Sequence, residues 1–209
     1  MRLYLSSFRT GDHPEHLLSL LGAGRRAAVI ANSMDPYETR GLETEFPALA
    51  ELGIDAEELD LRDYFDPDDP IADDLASFDL LWFRGGNVFA LRQAMAKSGA
   101  DEAILDLLRR DAVVYGGYSA GPCVLAPSLR GLELCDETDV VEKLYGEPVI
   151  FDGLGILDFA FVPHYDTPGH PETESMNHVV AYYEREGVPY RTFRDGQVLV
   201  VNGDERIMT

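Results

Sequence analysis

The segment richest in chemistry runs Val113-Val114-Tyr115-Gly116-Gly117-Tyr118-Ser119-Ala120-Gly121, an apolar run that passes straight into G-x-S-x-G. A serine at a sharp strand-to-helix turn sits in strained backbone with its Oγ exposed. Glycines on either side remove the Cβ atoms that would collide as the chain doubles back. Such a turn sets the hydroxyl at the carboxyl edge of a sheet, beside the free N–H groups of the next helix, where an oxyanion can be held. The same pattern suits a phosphate cradle or a plain tight turn, so the serine alone does not decide. A second apolar run, Leu81-Trp82-Phe83, ends in Arg84-Gly85-Gly86-Asn87, and its glycine pair would bring further main-chain donors to that edge. The plainer reading makes Asn87 the N-cap of the helix that follows and Arg84 a surface residue.

A serine nucleophile needs a base within hydrogen-bond reach, and the base needs an acid that fixes its tautomer. Of the five histidines, only His164, in Phe161-Val162-Pro163-His164-Tyr165-Asp166, follows directly on an apolar run of strand length. His13 and His16 fall near the first helix and His178 inside a helical stretch, which makes them surface residues; His170 lies on the loop after His164 and can line a site. Candidate acids are Asp136, Glu137 and Asp139 in an irregular stretch, and Asp166 just past the histidine. With 38 acidic residues in the chain, each taken alone is first of all a solvated carboxylate.

The elements that must carry these groups show in the hydrophobic pattern. Apolar runs of strand length recur at 3–5, 27–31, 80–83, 113–115 and 159–162, separated by helical spacing at 17–21, 46–52, 88–95 and 104–108. Continuous apolar runs mark strands buried on both faces, so this alternation predicts a three-layer α/β fold, a mostly parallel sheet with helices on both faces. His164 then follows a strand of the sheet that carries the serine turn. Residues 63–74, acidic and with Pro67 and Pro70, and residues 132–155, without a clear period, are expected to be loops inside one catalytic domain spanning residues 1–209. Toward the end, Arg194-Asp195-Gly196-Gln197 and Asn202-Gly203-Asp204 lie between β-rich runs, the composition of two successive β-hairpins.

Composition narrows the class of protein. Lys+Arg of 17 against Asp+Glu of 38 leaves a net charge of −21, which repels phosphate backbones and anionic membrane surfaces; no nucleic acid or membrane partner is expected. Two cysteines, Cys123 and Cys135, do not form a disulfide framework, and no apolar run approaches the roughly 18 residues of a membrane span or the core of a signal peptide. A cytoplasmic location follows as an expectation.

Taken in order, Gly85-Gly86-Asn87, Gly117-Tyr118-Ser119-Ala120-Gly121 and Pro163-His164-Tyr165 resemble the aspartyl dipeptidase (peptidase E) and cyanophycinase family of serine peptidases, over nearly the whole chain. The resemblance implies a class I glutamine amidotransferase-like fold, no metal or cofactor, and a small peptide substrate. It implies a Ser-His-Glu triad: Ser119 as nucleophile, His164 as base, and the acid at Asp136 or Glu137, with Glu137 favoured. It puts the oxyanion donors at the N–H of Gly86 and Ala120, and Asn87, Arg84 and His170 among the substrate-binding residues. The family implies a monomer or homodimer. Aspartyl dipeptidases carry a basic residue shortly after the catalytic histidine; here that stretch reads Gly169-His170-Pro171-Glu172-Thr173-Glu174, with no Arg or Lys, which leaves specificity for N-terminal Asp a hypothesis.

Three other readings compete. An α/β-hydrolase esterase shares G-x-S-x-G, but too few residues separate Ser119 from His164 for that fold's intervening elements. An amidotransferase proper would need Cys at position 119, where the chain has Ser, and an amidase stays beside the esterase as an alternative. A non-catalytic ligand-binding protein of the same fold would have no use for a base and an acid beside the serine.

Overall fold

The computed structural model describes residues 1–66 and 70–209; Pro67, which contributed to the expected acidic loop, lies outside the described residues. The strands are β1 (Arg2–Ser6), β2 (Arg26–Ile30), β3 (Asp55–Glu58), β4 (Leu80–Phe83), β5 (Val114–Tyr118), β6 (Ala160–Val162), β7 (Tyr190–Thr192), β8 (Val198–Asn202) and β9 (Glu205–Met208). The α-helices are α1 (Pro14–Leu21), α2 (Leu42–Glu51), α3 (Ala72–Ala76), α4 (Val88–Lys97), α5 (Ala100–Arg109), α6 (Ala120–Cys123), α7 (Asp139–Tyr145) and α8 (Thr173–Glu186).

Seven strands form one sheet in the order β3-β2-β4-β5-β1-β8-β9. The first five run parallel, and β8 and β9 close the sheet as an antiparallel pair. Alternate residues of the central strands feed two separate cores, as the period of two requires. Leu3, Leu5, Ile30, Leu81, Phe83 and Tyr115 pack under α3, α4, α5 and α8, where Ile104, Leu107 and Leu108 form the apolar stripe of α5. Tyr4, Val29, Trp82 and Val114 face the other way, against Leu17, Leu20 and Leu21 of α1 and Leu49 of α2. Each such Leu, Ile or Val, fully buried, contributes about 1.5–3 kcal/mol, so the sheet is held from both sides. This is the expected α/β architecture with a mostly parallel sheet.

Three expectations need correcting. Strand β6 does not join the main sheet; it pairs in parallel with β7 in a separate two-stranded sheet. For that reason the C-terminal region holds one hairpin, β8–β9, and not two: the turn at 194–197 closes with Gln197 N–H on Arg194 O (3.0 Å), yet leads from one sheet into another. The two expected loops are not wholly irregular: residues 132–155 contain a 3₁₀ turn (Leu132–Leu134) and α7, and residues 63–74 take in the end of a 3₁₀ turn (Leu61–Tyr64) and the start of α3.

The arrangement has one consequence for chemistry. Strands β1, β4 and β5 are parallel and end at the same edge, where Ser7, Arg84 and Ser119 follow them. Because β8 is antiparallel to β1, with Val198 opposite Ser6, the residues that enter β8 lie beyond that same edge.

Candidate active site

Ser119 occupies the turn between β5 and α6 with φ 52° and ψ −108°, a backbone region costly for any residue with a Cβ. The turn holds because its neighbours are small. A Cβ on Gly117 (φ +155°) would overlap the Phe83 carbonyl, and one on Gly121 would lie 2.8 Å from Phe83 Cβ. Main-chain bonds fix the rest: Ser119 N–H donates to Ser6 O (3.3 Å), and Tyr115 O–H donates to Gly121 O (2.8 Å). Ser119 Oγ accordingly has no capping task. The N–H groups of Gly86 and Ala120 have no hydrogen-bond partner among the described residues.

His164 follows β6, also at positive φ (57°), and its ring is buried. Its Nδ1 lies 2.6 Å from Asp195 Oδ1. A carboxylate can only accept, so Nδ1 carries the proton and Nε2 presents its lone pair. Ser7, at the end of β1 and fully buried, joins the pair. Its Oγ accepts from His164 N–H (2.9 Å) and donates to the same Asp195 oxygen (2.9 Å), with Phe193 O at 3.2 Å as its alternative acceptor. Strand-pair bonds complete the joint: Phe193 N–H to Val162 O and Tyr165 N–H to Phe193 O. Burial pushes the imidazole pKa below its usual value, opposed by the hydrogen bond to Asp195 and reinforced by the neighbouring His170 ring. His170 stacks on His164 at 3.7 Å between centroids and 5° between planes, with Phe8 edge-on to both.

Ser119 and His164 line one open cavity of about 300 Å³, together with Phe8, Arg9, Met34, Tyr37, Arg84, Gly85, Gly86, Tyr118, His170 and Glu172. Hollows of about 470 and 340 Å³ elsewhere on the surface contain no serine–histidine pair.

The acid on His164 is Asp195, where sequence reasoning favoured Glu137 or Asp136. Those two belong to a loop tied to the start of α4. Asp136 Oδ2 accepts from Val88 N–H (2.7 Å), and Glu137 O accepts from Asn87 Nδ2 (2.9 Å). Burial raises the Asp136 carboxyl to about 7, with the Val88 N–H opposing and the charge of Glu172 adding to the rise. Asp139 pairs with Lys143 (2.7 Å) in the first turn of α7, and Asp166 turns out to Arg194. Asn87 is the N-cap of α4, its Oδ1 accepting from Ala90 N–H (2.9 Å), and it does not line the main cavity. Arg84 and His170 do. Arg84 is also drawn toward Glu45 (3.8 Å), which accepts from Trp82 Nε1 and Tyr118 O–H.

Residues 25–209 match the profile of peptidase family S51. The chain belongs to that family. It is a serine-type peptidase, similar to peptidase E of Streptomyces coelicolor at 31% identity over 202 residues, covering 93% of this chain and 76% of that protein. A protein of Drosophila melanogaster named as a probable alpha-aspartyl dipeptidase is 28% identical over 131 residues, 59% of this chain and 50% of its own. Among solved structures, a peptidase from an acI-B1 Actinobacterium superposes with a TM-score of 0.69 at 16% identity, over 100% of this chain and 86% of that one, a likeness of fold. No helix among the described residues of this S51 peptidase is long and apolar enough to cross a membrane.

A signal for Asp195 was present in the sequence. It is a carboxylate in a Gly-containing turn, just past the β-run that follows the histidine, and strand ends were where the serine and the histidine had already been found. The pairing that makes it visible, β6 with β7, is long-range.

Proposed function

We propose that this S51 peptidase hydrolyses short peptides as a dipeptidase-like enzyme, with Ser119 as nucleophile, His164 as general base and Asp195 as the orienting acid. The observation that carries the reading is the 2.6 Å contact between His164 Nδ1 and Asp195 Oδ1 at the wall of the cavity that Ser119 lines. With Nδ1–H held by Asp195, Nε2 takes the Ser119 proton as Oγ bonds to the scissile carbonyl carbon. The tetrahedral oxyanion is received by the N–H groups of Gly86 and Ala120, which have no other partner among the described residues. Collapse breaks the C–N bond, and the imidazolium passes its proton to the departing amine. Water, losing a proton to Nε2, then attacks the acyl carbon; the C–Oγ ester bond breaks, Oγ recovers the proton from the imidazolium, and the carboxylic acid product leaves.

A cavity of about 300 Å³ suits a peptide of two or three residues better than a folded protein. Arg9, which makes no ion pair among the described residues, and Arg84 supply positive charge that could receive an acidic side chain or a terminal carboxylate. This keeps Asp-X dipeptides the first substrates to try. Two unpaired thiols, one buried and one half-buried, agree with a cytoplasmic setting.

The test combines a fluorophosphonate probe with Asp-Leu, Glu-Leu, Ala-Leu and Leu-Leu. Wild type is expected to label and to cleave at least one dipeptide, and Ser119→Ala to do neither. A wild type that neither labels nor cleaves would leave a binding protein. Better cleavage of Ala-Leu or Leu-Leu than of Asp-Leu would remove the Asp specificity alone.

A further inference from the structure

Glu172 is a carboxylate without a cation. It stands at the N-cap position of α8, where a negative charge is favourable, but its side chain makes no capping hydrogen bond. Its own N–H donates to His170 Nδ1 (3.2 Å), and its carbonyl accepts from Ser175 Oγ (2.9 Å) and Met176 N–H (2.9 Å), so the main chain is fixed while the carboxylate is not. Among the described residues the one charged-group contact of that carboxylate is with His164, 3.7 Å from Oε2 to Nε2. Burial works against a charge on His164, with Asp195 and Glu172 opposing it in part, so the ring is a weak partner for that carboxylate.

Glu172 lines the main cavity, and it also lines a narrow cleft of about 10 Å³ shared with Gly86, Ser119, Ala120 and Asp136. Asp136 lines that cleft with one oxygen on Val88 N–H and no hydrogen bond to the other among the described residues. Two carboxylates thus line the cleft beside the nucleophile, with no Lys or Arg among its lining residues, while Arg9 and Arg84 share the main cavity with Glu172.

We propose that Glu172, backed by Asp136, receives the free α-ammonium of the substrate's N-terminal residue, so that the site selects peptides cleaved after their first residue. The inference rests on the peptidase reading above. The geometry suits it: the α-nitrogen is two bonds, roughly 2.5 Å, from the scissile carbonyl carbon by standard backbone dimensions. A carboxylate 3.7 Å from the atom that must reach the leaving group is therefore at the right range to grip it. A metal ion is the poorer occupant. Ligand atoms of His164, His170 and Glu172 lie within 4.8 Å of one another, but the two imidazoles are stacked with 5° between their planes, so their in-plane lone pairs cannot converge on one ion.

The experiment compares the best-cleaved dipeptide of the panel with its N-acetyl form, on wild type and on Glu172→Gln and Glu172→Asp, with fluorophosphonate labelling as the reference for the nucleophile. N-acetylation is expected to lower wild-type kcat/KM about 10- to 100-fold, the scale of a hydrogen bond to a charged group. Glu172→Gln is expected to lower kcat/KM for the free amine about 10- to 100-fold, chiefly through KM, and to shrink the acetylation penalty by the same factor, with Glu172→Asp intermediate. Equal losses on free and acetylated peptide, or a labelling rate that falls as far as cleavage, would overturn the inference, because Glu172 would then act on His164 or on the fold. Equal wild-type cleavage of the two peptides would overturn it without any variant. A wild type that neither labels nor cleaves defeats the peptidase reading instead.

Discussion

Asp195 reaches His164 because three separate constraints agree on where its Oδ1 must be. The ring Nδ1–H and the Ser7 hydroxyl both point to that one oxygen, and Asp195 N–H is held by Thr167 Oγ1 at 3.0 Å. Fixing the tautomer matters more than supplying charge: with Nδ1 protonated, Nε2 is the one basic site left on a ring that lines the same cavity as Ser119. Asp195→Asn keeps the shape but offers the ring an N–H or a weaker acceptor, so the opposite tautomer competes. Its kcat on the best dipeptide should fall on the order of 10³- to 10⁴-fold, the scale of such replacements in serine hydrolases, with an unchanged melting profile. Glu137→Gln, whose exposed side chain makes no recorded contact with His164, should stay within about twofold. The reverse ranking of the two variants would return the acid to the 136–137 loop.

At the scale of elements, the site depends on a turn whose dimensions β4 sets. Phe83 is opposite Gly117 in the β4–β5 register, and its carbonyl occupies the volume a side chain at 117 would need. Gly117→Ala combines that overlap with a φ of +155°, so it should destabilise the fold by about 1–3 kcal/mol, seen as a lower urea midpoint, and slow fluorophosphonate labelling. An unchanged midpoint would mean that β4 and β5 can part at no cost. The same elements show what a sequence can reveal. Strands β1, β2, β4 and β5 were visible because burial on both faces makes them continuous apolar runs, and Ser119 and His164 were visible as residues that follow such runs. Strand β3 was not: Asp-Ala-Glu-Glu at a sheet edge pairs on one side only and has no apolar face to display. Helix α7 buries the adjacent pair Val140 and Val141, which gives no helical period. Asp195 was hidden by correct local reading, since 194–197 is a turn; what it joins is decided by the pairing of β6 with β7 across α8, which no local pattern encodes.

For the molecule as a whole, the excess of acid makes stability a function of pH, and Asp136 separates a local contribution from the general one. A carboxyl raised to about 7 in the folded chain, against about 4 when unfolded, favours the fold in its protonated form. Its stabilising contribution is complete below about pH 4 and is lost as pH rises through about 7. His164 acts in the opposite direction: burial lowers its pKa, so the fold gains as pH rises toward the ordinary imidazole value of about 6.5, and no further above it. Repulsion within a chain of net charge −21 opposes compaction throughout this range, but it is long-range and fades in salt, whereas a group shielded from solvent is screened little. Asp136→Asn stays neutral and can still accept from Val88 N–H, so it removes the Asp136 contribution and leaves the other two. In 1 M NaCl, the fall in Tm of wild type between pH 5 and pH 8 should therefore exceed that of Asp136→Asn, the variant being the more stable protein at pH 8. Parallel Tm curves for the two proteins would show that Asp136 is ionised in the fold across the whole range, and that the carboxylates beside Ser119 are solvated well enough to need no counter-ion.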